Sequence, residues 1–324
     1  MERLIHIDIL KGIAIILVVM GHMFVPYTDY LNSTINQLIY SVHMPLFFFL
    51  SGYVFKKEQN IGRMIIKKTI GLLLPFFTFS ALYCFCFSIS YIDLLTKTEM
   101  HHGFWFTLVL WEIIIISIFA TIREGGRFVL ANLVIISILL IITKFSLIPE
   151  PIKTILSTDK VAKFYMFFFL GRIVRNSPRV NNVFHKQYLY VLCCIIFFYC
   201  FIKNGYDLQK VNVYSFIFPF CGIIVLTNIV KSNLNKFNYK GILQYIGKNS
   251  LEIYLIHLFF LTQIPPIIIN SYNVLYLQFF VLLLFSLCNI IMSILVAHLI
   301  HHSSFLKFLF LGKGNIMYNI LSHI

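Results

Sequence analysis

A chain of 324 residues that is 59% hydrophobic and only 12% charged carries about half the charge of a soluble domain, which excludes a soluble globular protein and makes this an integral membrane protein. A net charge of +14 and a pI of 9.4 are those of basic cytoplasmic loops rather than of a nucleic-acid binder. No Gly-rich phosphate loop, zinc-type Cys/His spacing or long basic tail accompanies them. The seven cysteines lie in apolar stretches without a CxxC pair, and read as small buried hydrophobes holding neither disulfide nor metal.

A span needs about 20 mostly apolar residues. Ten segments qualify in chain order: 9–26, 36–55, 70–91, 104–121, 128–143, 161–175, 188–203, 213–230, 250–269 and 275–300. The expected fold is all-α, a polytopic membrane helix bundle of about ten transmembrane helices, with short loops, no internal repeat and one domain over residues 1–324. The first segment ends at Met20-Gly21-His22 without an Ala-x-Ala-type cleavage site, so it is expected to stay as a helix. With the N-terminus inside, 19 of the 26 Lys and Arg residues fall on inner segments and 7 on outer ones. That bias places both termini in the cytoplasm, and the protein is expected in the cell's inner, cytoplasmic membrane.

The first apolar segment, 5–24, also holds Asp8, Lys11 and His22, and polar groups in lipid face a bundle interior or a water-filled cavity. At 1.5 Å per residue, His22 lies ~20 Å above the inner start of its helix. His43 lies ~10 Å below the outer start of the second helix, and Glu112 ~12 Å below that of the fourth. Two imidazoles and a carboxylate at matching depth have the composition of a general-base site, one group taking the proton and another orienting it. His22 is the candidate centre, with His43 and Glu112 as candidate catalytic partners. Each could instead only hydrogen-bond a neighbouring helix. His257 lies ~10 Å from the inner face and lines the same pathway or bonds a neighbour. At the inner face, Lys56, Lys57, Arg63, Lys67 and Lys68 either grip a polyphosphate or touch anionic lipid. Arg63 and Lys67 form an i,i+4 pair if the third helix begins early, and Asp8 and Lys11 are one turn apart. His101, His102, His301 and His302 read as interfacial, and the aromatic run Phe164–Phe169 as lipid-facing bulk.

Five stretches resemble the bacterial acyltransferase 3 family, integral-membrane O-acyltransferases of surface polysaccharides. They are Arg3 to Ala14 continuing to Gly21-His22; His43-Met44-Pro45 through Tyr53; Phe104-Trp105-Phe106; Phe167-Phe168-Phe169-Leu170-Gly171; and Tyr245-Ile246-Gly247-Lys248 through His257. The resemblance implies transfer of acetyl from cytoplasmic acetyl-CoA, a co-substrate rather than a bound cofactor, to a sugar hydroxyl of a surface glycan or its lipid-linked precursor. It maps the family's essential histidine onto His22 and its acidic and basic residues at the base of that helix onto Asp8 and Lys11. The family's Arg-x-x-Arg pair before the proline of helix 3 falls on Lys68 and Gly71, and a lysine lacks the bidentate fork.

The leading expectation is therefore a membrane O-acyltransferase that binds acyl-CoA with Asp8, Lys11, Arg63, Lys67, Lys68 and His257. His22 acts as base or as transient acyl carrier. The alternative is an exporter of a glycan or lipid-linked sugar, against which stands the lack of paired discontinuous helices. Partners expected are the lipid bilayer, acyl-CoA and the glycan acceptor, with no nucleic acid and no metal. The topology is checked by thiol labelling in intact cells lacking reactive native cysteines. A cysteine at Asn32 should react with an impermeant reagent and one at Gly125 should not; the reverse pattern inverts the assignment.

Overall fold

The computed structural model describes residues 4–24, 34–97, 101–120, 126–204, 214–234, 240–263 and 275–322. Among them the regular structure is helical, with no strand. The α-helices are α1 (Ile5–Phe24), α2 (Thr34–Val54), α3 (Ile61–Phe87), α4 (Tyr91–Thr96), α5 (Trp105–Ala120), α6 (Gly126–Lys144), α7 (Glu150–Leu156), α8 (Thr158–Asn176), α9 (Pro178–Phe184), α10 (Gln187–Asn204), α11 (Tyr214–Ser232), α12 (Lys240–Lys248), α13 (Ser250–Ile256), α14 (Leu275–His302), α15 (Ser304–Leu311) and α16 (Asn315–Ser322). Tight 3-10 turns occupy His101–Gly103 and His257–Gln263.

Each of the ten expected segments falls on helix, although residues 25–33, 121–125 and 264–269, with Asn32 and Gly125 among them, lie outside the described set. Among the described residues five helices are long and apolar enough to cross a membrane: Ile5–Met23, Gln37–Val54, Ile61–Phe87, Arg127–Lys144 and Phe280–His302. Four shorter apolar helices accompany them. Large apolar side chains such as Phe85, Ile202 and Leu299 are left exposed, as suits a surface solvated by lipid. Prolines sit inside α2, α3 and α11. Membrane bundles tolerate them because neighbouring groups satisfy the freed carbonyls.

Two expectations about helix limits change. The third segment starts at Ile61, not near 70, because Asn60 caps it by accepting from the Arg63 amide at 3.0 Å. Arg63, Lys67 and Lys68 therefore stand on helix rather than in a loop. The ninth is not one continuous span: helix begins at Lys240, pauses at Asn249, and tightens to 3-10 at His257.

The chain divides into two compact units, each drawn from separate stretches: Met1–Val54 with Leu170–Leu295, and Phe55–Phe169 with Val296–Ile324. In the first, α1 packs on α12, α2, α13 and α11, and α2 and α10 pack on α11. The α1–α12 approach is backbone against backbone. A Cβ on Gly12 would overlap the Leu243 carbonyl oxygen, and one on Gly247 the Asp8 carbonyl oxygen. α2 and α8 meet in the same way, for a Cβ on Gly171 would overlap the Phe49 carbonyl.

In the second unit α3 packs on α5, α15, α16 and α4. Trp111 Nε1 donates to Thr69 Oγ1 at 3.0 Å, tying α5 to α3. The aromatic run of α8 is core here, not lipid-facing bulk: Phe164, Tyr165, Phe167, Phe168 and Phe169 are all buried. Phe164 stacks on Trp105 with centroids 5.5 Å apart, and the Tyr165 hydroxyl donates to Asn132 Oδ1 at 2.9 Å. A polar partner for that hydroxyl exists only in the protein interior. The cysteines also differ from expectation. Cys84, Cys193 and Cys221 are buried, but Cys86 and Cys288 lie on exposed helix faces.

Packing this close predicts a steep penalty for one methyl group. Gly247→Ala should lower the thermal unfolding midpoint of the detergent-purified protein by the equivalent of about 1–3 kcal/mol or more. Gly241→Ala, whose Cβ would meet nothing within 4 Å, should leave the midpoint unchanged or raise it, since alanine favours helix. Fluorescence-detected size exclusion after heating measures both.

Candidate functional site

Gly12 to His22 and Gly247 to His257 are both ten-residue steps, about 15 Å of helix. Because α1 and the α12–α13 segment run parallel from their glycine contact, these equal steps bring the two imidazoles together, with ring centroids 5.3 Å apart and planes tilted by 48°. Gly21 keeps α1 close to α2, where its Cβ position lies 3.2 Å from the Tyr40 ring. The His22 ring then meets Tyr40 edge-on at 6.4 Å, and Tyr40 in turn meets His43 at 4.9 Å. His22, His43 and His257 thus belong to one cluster in the first unit, with Tyr40 touching both rings of the α1–α2 pair.

The hydrogen bonds define which nitrogens are free to act. His43 Nδ1 lies 2.6 Å from the Ile39 carbonyl, and His257 Nδ1 lies 2.7 Å from that of Tyr254 and 3.1 Å from that of Ile253. Carbonyl oxygens only accept, so Nδ1 carries the proton in both rings and Nε2 keeps its lone pair when the ring is neutral. His257 is fully buried, and its Nε2 has no hydrogen-bond partner among the described residues. A buried polar atom left unpaired costs free energy, and at a site of chemistry that cost maintains a ready proton acceptor. The turn holding His257 is secured from α14. Asn289 Nδ2 donates to the His257 carbonyl at 3.1 Å, and Ser293 Oγ donates to Asn289 Oδ1 at 3.2 Å. Of the two paired rings, that of His22 is the less buried.

Depth counting from residue 250 placed His257 far below His22. It is beside it, because the helical path starts at Lys240 and adds ten residues below. Tyr40, Tyr254, Asn289 and Ser293 were missed. The available signal was their polarity inside apolar helices, and for Tyr40 its i,i+3 relation to His43.

Of the other expected residues, Asp8 and Lys11 stand in the first unit and Glu112, Arg63, Lys67 and Lys68 in the second. Asp8 is buried where α1 meets α12, and Lys11 is half-buried one turn on. Glu112 belongs to the second unit, where it is 9% exposed and neither carboxyl oxygen has a hydrogen-bond partner among the described residues. It lines a cavity of about 330 Å³ whose walls include Leu139, Ile142, Leu156 and Val161. Lys67 Nζ donates to Glu58 Oε1 at 2.7 Å, an exposed pair worth little in itself but one that occupies the ammonium. Arg63 is exposed and Lys68 half-buried. No group of three or more metal-ligating side chains occurs among the described residues.

His101 is not interfacial. It is fully buried, with Nδ1 3.1 Å from the Leu94 carbonyl and Nε2 accepting from Ser157 Oγ at 3.2 Å. Both nitrogens are satisfied, which marks a structural histidine and contrasts with His257.

The sequence profile described as "Acyltransferase domain" matches residues 4–302. Among curated proteins, the chain is similar to "Nodulation protein NolL" of Sinorhizobium fredii, at 29% identity over 231 residues, covering 65% of this chain and 60% of that protein. The chain thus spans less than two thirds of that relative. No solved structure matches.

The contrast between the two buried histidines can be measured. His101→Leu should lower unfolding stability by about 1–3 kcal/mol more than His257→Leu, because it removes hydrogen bonds from both ring nitrogens while the latter removes them from Nδ1 alone. Thermal unfolding of the two purified variants reads the difference.

Proposed function

Since the chain belongs to the acyltransferase domain family, we propose that it is a membrane O-acyltransferase that moves an acetyl or other acyl group from cytoplasmic acyl-CoA to a hydroxyl of a cell-surface polysaccharide or lipid-linked sugar. In this reading about ten helices span the cytoplasmic membrane, and both termini are cytoplasmic. The observation that carries the reading is the His22–His257 pair, with an unpartnered, buried Nε2 beside a half-buried imidazole.

The chemistry follows from that pair. A lone pair of His22 takes the proton of the acceptor hydroxyl as its oxygen attacks the thioester carbonyl carbon. The tetrahedral intermediate collapses with cleavage of the carbon–sulfur bond, and the proton on His22 passes to the departing CoA thiolate. The products are the sugar ester and free CoA. While His22 is an imidazolium, the Nε2 lone pair of His257 is placed to accept a hydrogen bond from it, the orienting role that a carboxylate fills in other general-base sites. His43, held through Tyr40, fixes the opposite side. Asp8 and Lys11 organise the base of α1, where donor enters. In the second unit Glu112 lines an apolar cavity, and α3 carries the cations Arg63, Lys67 and Lys68.

His22→Ala should insert normally, as loss of a polar group does not hinder an apolar helix, and should lose acyl transfer by roughly 10²-fold or more. His22→Gln retains hydrogen bonding but accepts no proton near neutral pH, so it should be nearly as inactive. Acetylated sugar by mass spectrometry and released CoA thiol, normalised to inserted protein, report both. Substantial turnover by the Gln variant would reduce His22 to a structural hydrogen-bonder.

A further inference from the structure

At the end of the first unit opposite the histidine cluster, α2, α8 and the start of α1 converge on Tyr53. Gly171 and Phe49 are in backbone contact, and one helical turn on from each stand Arg175 and Tyr53. Their placement one above the other is therefore a consequence of that glycine: the guanidinium carbon lies 5.4 Å from the Tyr53 ring centroid. His6 meets the same ring edge-on at 6.2 Å. Lys231, His185 and Arg175 are all near enough to His6 to act on its charge. Behind Tyr53, Phe49 stacks on Phe184 at 5.5 Å, and Phe184 meets His185 at 5.4 Å. His185 is held in turn: its Nδ1 donates to Asn228 Oδ1 at 3.0 Å, and Asn228 Nδ2 donates to the Phe184 carbonyl at 3.2 Å.

Four cationic or protonatable groups are thus assembled by an aromatic scaffold. Among the described residues neither Arg175 nor Lys231 has a carboxylate partner. Asp8 is two residues from His6, a spacing at which helical side chains do not face each other, and it is buried. Burial, opposed by the Asn228 hydrogen bond and reinforced by Lys231, holds the His185 pKa below 6.5. Its ring is neutral at pH 7, and the standing charge there is that of Arg175 and Lys231. Uncompensated like charges held together repel one another, and an arriving phosphate relieves that repulsion through charge-assisted hydrogen bonds.

We propose that His6 and Arg175, which meet at the Tyr53 ring, form with the neighbouring His185 and Lys231 the site that holds the phosphate groups of the CoA thioester. This rests on the acyl-CoA reading above and names the donor's anchor within it. Length selects this ligand over an anionic lipid headgroup, which offers the same phosphate chemistry. From Tyr53 to Tyr40 is 13 residues of α2 and from His6 to His22 is 16 residues of α1, about 20 and 24 Å. The pantetheine arm has some 14 bonds between its phosphorus and the acyl carbon, about 16 Å when extended at the spacing of a peptide chain. With an ion-pair distance at its phosphate end it reaches about 20 Å. A phosphate at the cluster therefore carries the acyl carbon to the level of Tyr40, whose ring meets that of His22 at 6.4 Å.

The test is equilibrium binding of CoA to the purified full-length protein in phosphatidylcholine vesicles, with and without phosphatidylglycerol. Wild type should bind CoA, and Arg175→Gln/Lys231→Gln should weaken binding by about tenfold or more, the scale of lost charge-assisted bonds. His22→Ala and Lys67→Gln/Lys68→Gln should bind as wild type does. Arg175→Lys, which retains the charge, should stay within a few-fold, and this separates lost charge from lost folding. If the double variant fails to insert, Lys231→Gln alone, on an exposed position, should still weaken CoA measurably. Failure of wild type to bind CoA would sink the donor assignment itself. Wild-type-like CoA binding by the Arg175/Lys231 variant, or loss confined to the Lys67/Lys68 variant, would overturn the anchor and leave the donor standing. Unchanged CoA binding with loss of phosphatidylglycerol retention would assign the cluster to lipid.

Discussion

The contact on which the first unit depends is the one between the backbones of α1 and α12 at Gly12 and Gly247. Where two helices touch through carbonyls rather than side chains, they cannot slide by a turn without collision. In a lipid environment such packing is also the main attraction available, because apolar side chains are already solvated by hydrocarbon. The register of every group further along both helices is thereby set. His22 and His257 meet because each lies the same number of residues beyond the glycine at its own crossing, and the shared register tolerates no insertion in either helix.

A second glycine crossing, at Gly171, does for the other end of the unit what the first does for the histidines. It places Arg175 on Tyr53, and α1 and α2 then span the interval between the cation cluster and the imidazoles as two rigid rods. Polar side chains of α1 and α2 mark the ends of those rods: His6 and Tyr53 at one, His22, Tyr40 and His43 at the other. The stretch between them is lined by side chains such as Ile15, Val18, Leu46 and Phe48, all buried. The two clusters are separated by continuous helix rather than by a hinge.

Much of this is legible from residue order. Helix content, the positions of the apolar segments and the shared depth of His22 and His43 all follow from hydrophobic runs and a rise of 1.5 Å per residue. What failed is what depends on azimuth and on where a helix starts. His257 was placed too deep because Lys240 and Lys248 removed α12 from the apolar count, though its helical path is what raises His257 to its partner. The Phe164–Phe169 run has the same composition whether it faces lipid or protein; only the Tyr165–Asn132 bond shows that it faces inward. His101 and His257 are indistinguishable as letters, and differ only in whether the second ring nitrogen finds a donor. Helix starts were recoverable in one case, since Asn60 ahead of Arg63 is a capping signal.

The glycine crossing also has a history in time. Gly12 and Gly247 are separated by some 235 residues, which at ribosomal rates is roughly 10 to 50 s of synthesis. Throughout that interval α1 is made and its partner is not. Asp8 and His22 must be accommodated by lipid, translocon or a provisional neighbour, at the cost that a polar group in hydrocarbon carries. α1 is thus made well before its contact with α12 can form, and its residence in the membrane before α12 arrives is the interval in which biogenesis is most exposed to misassembly.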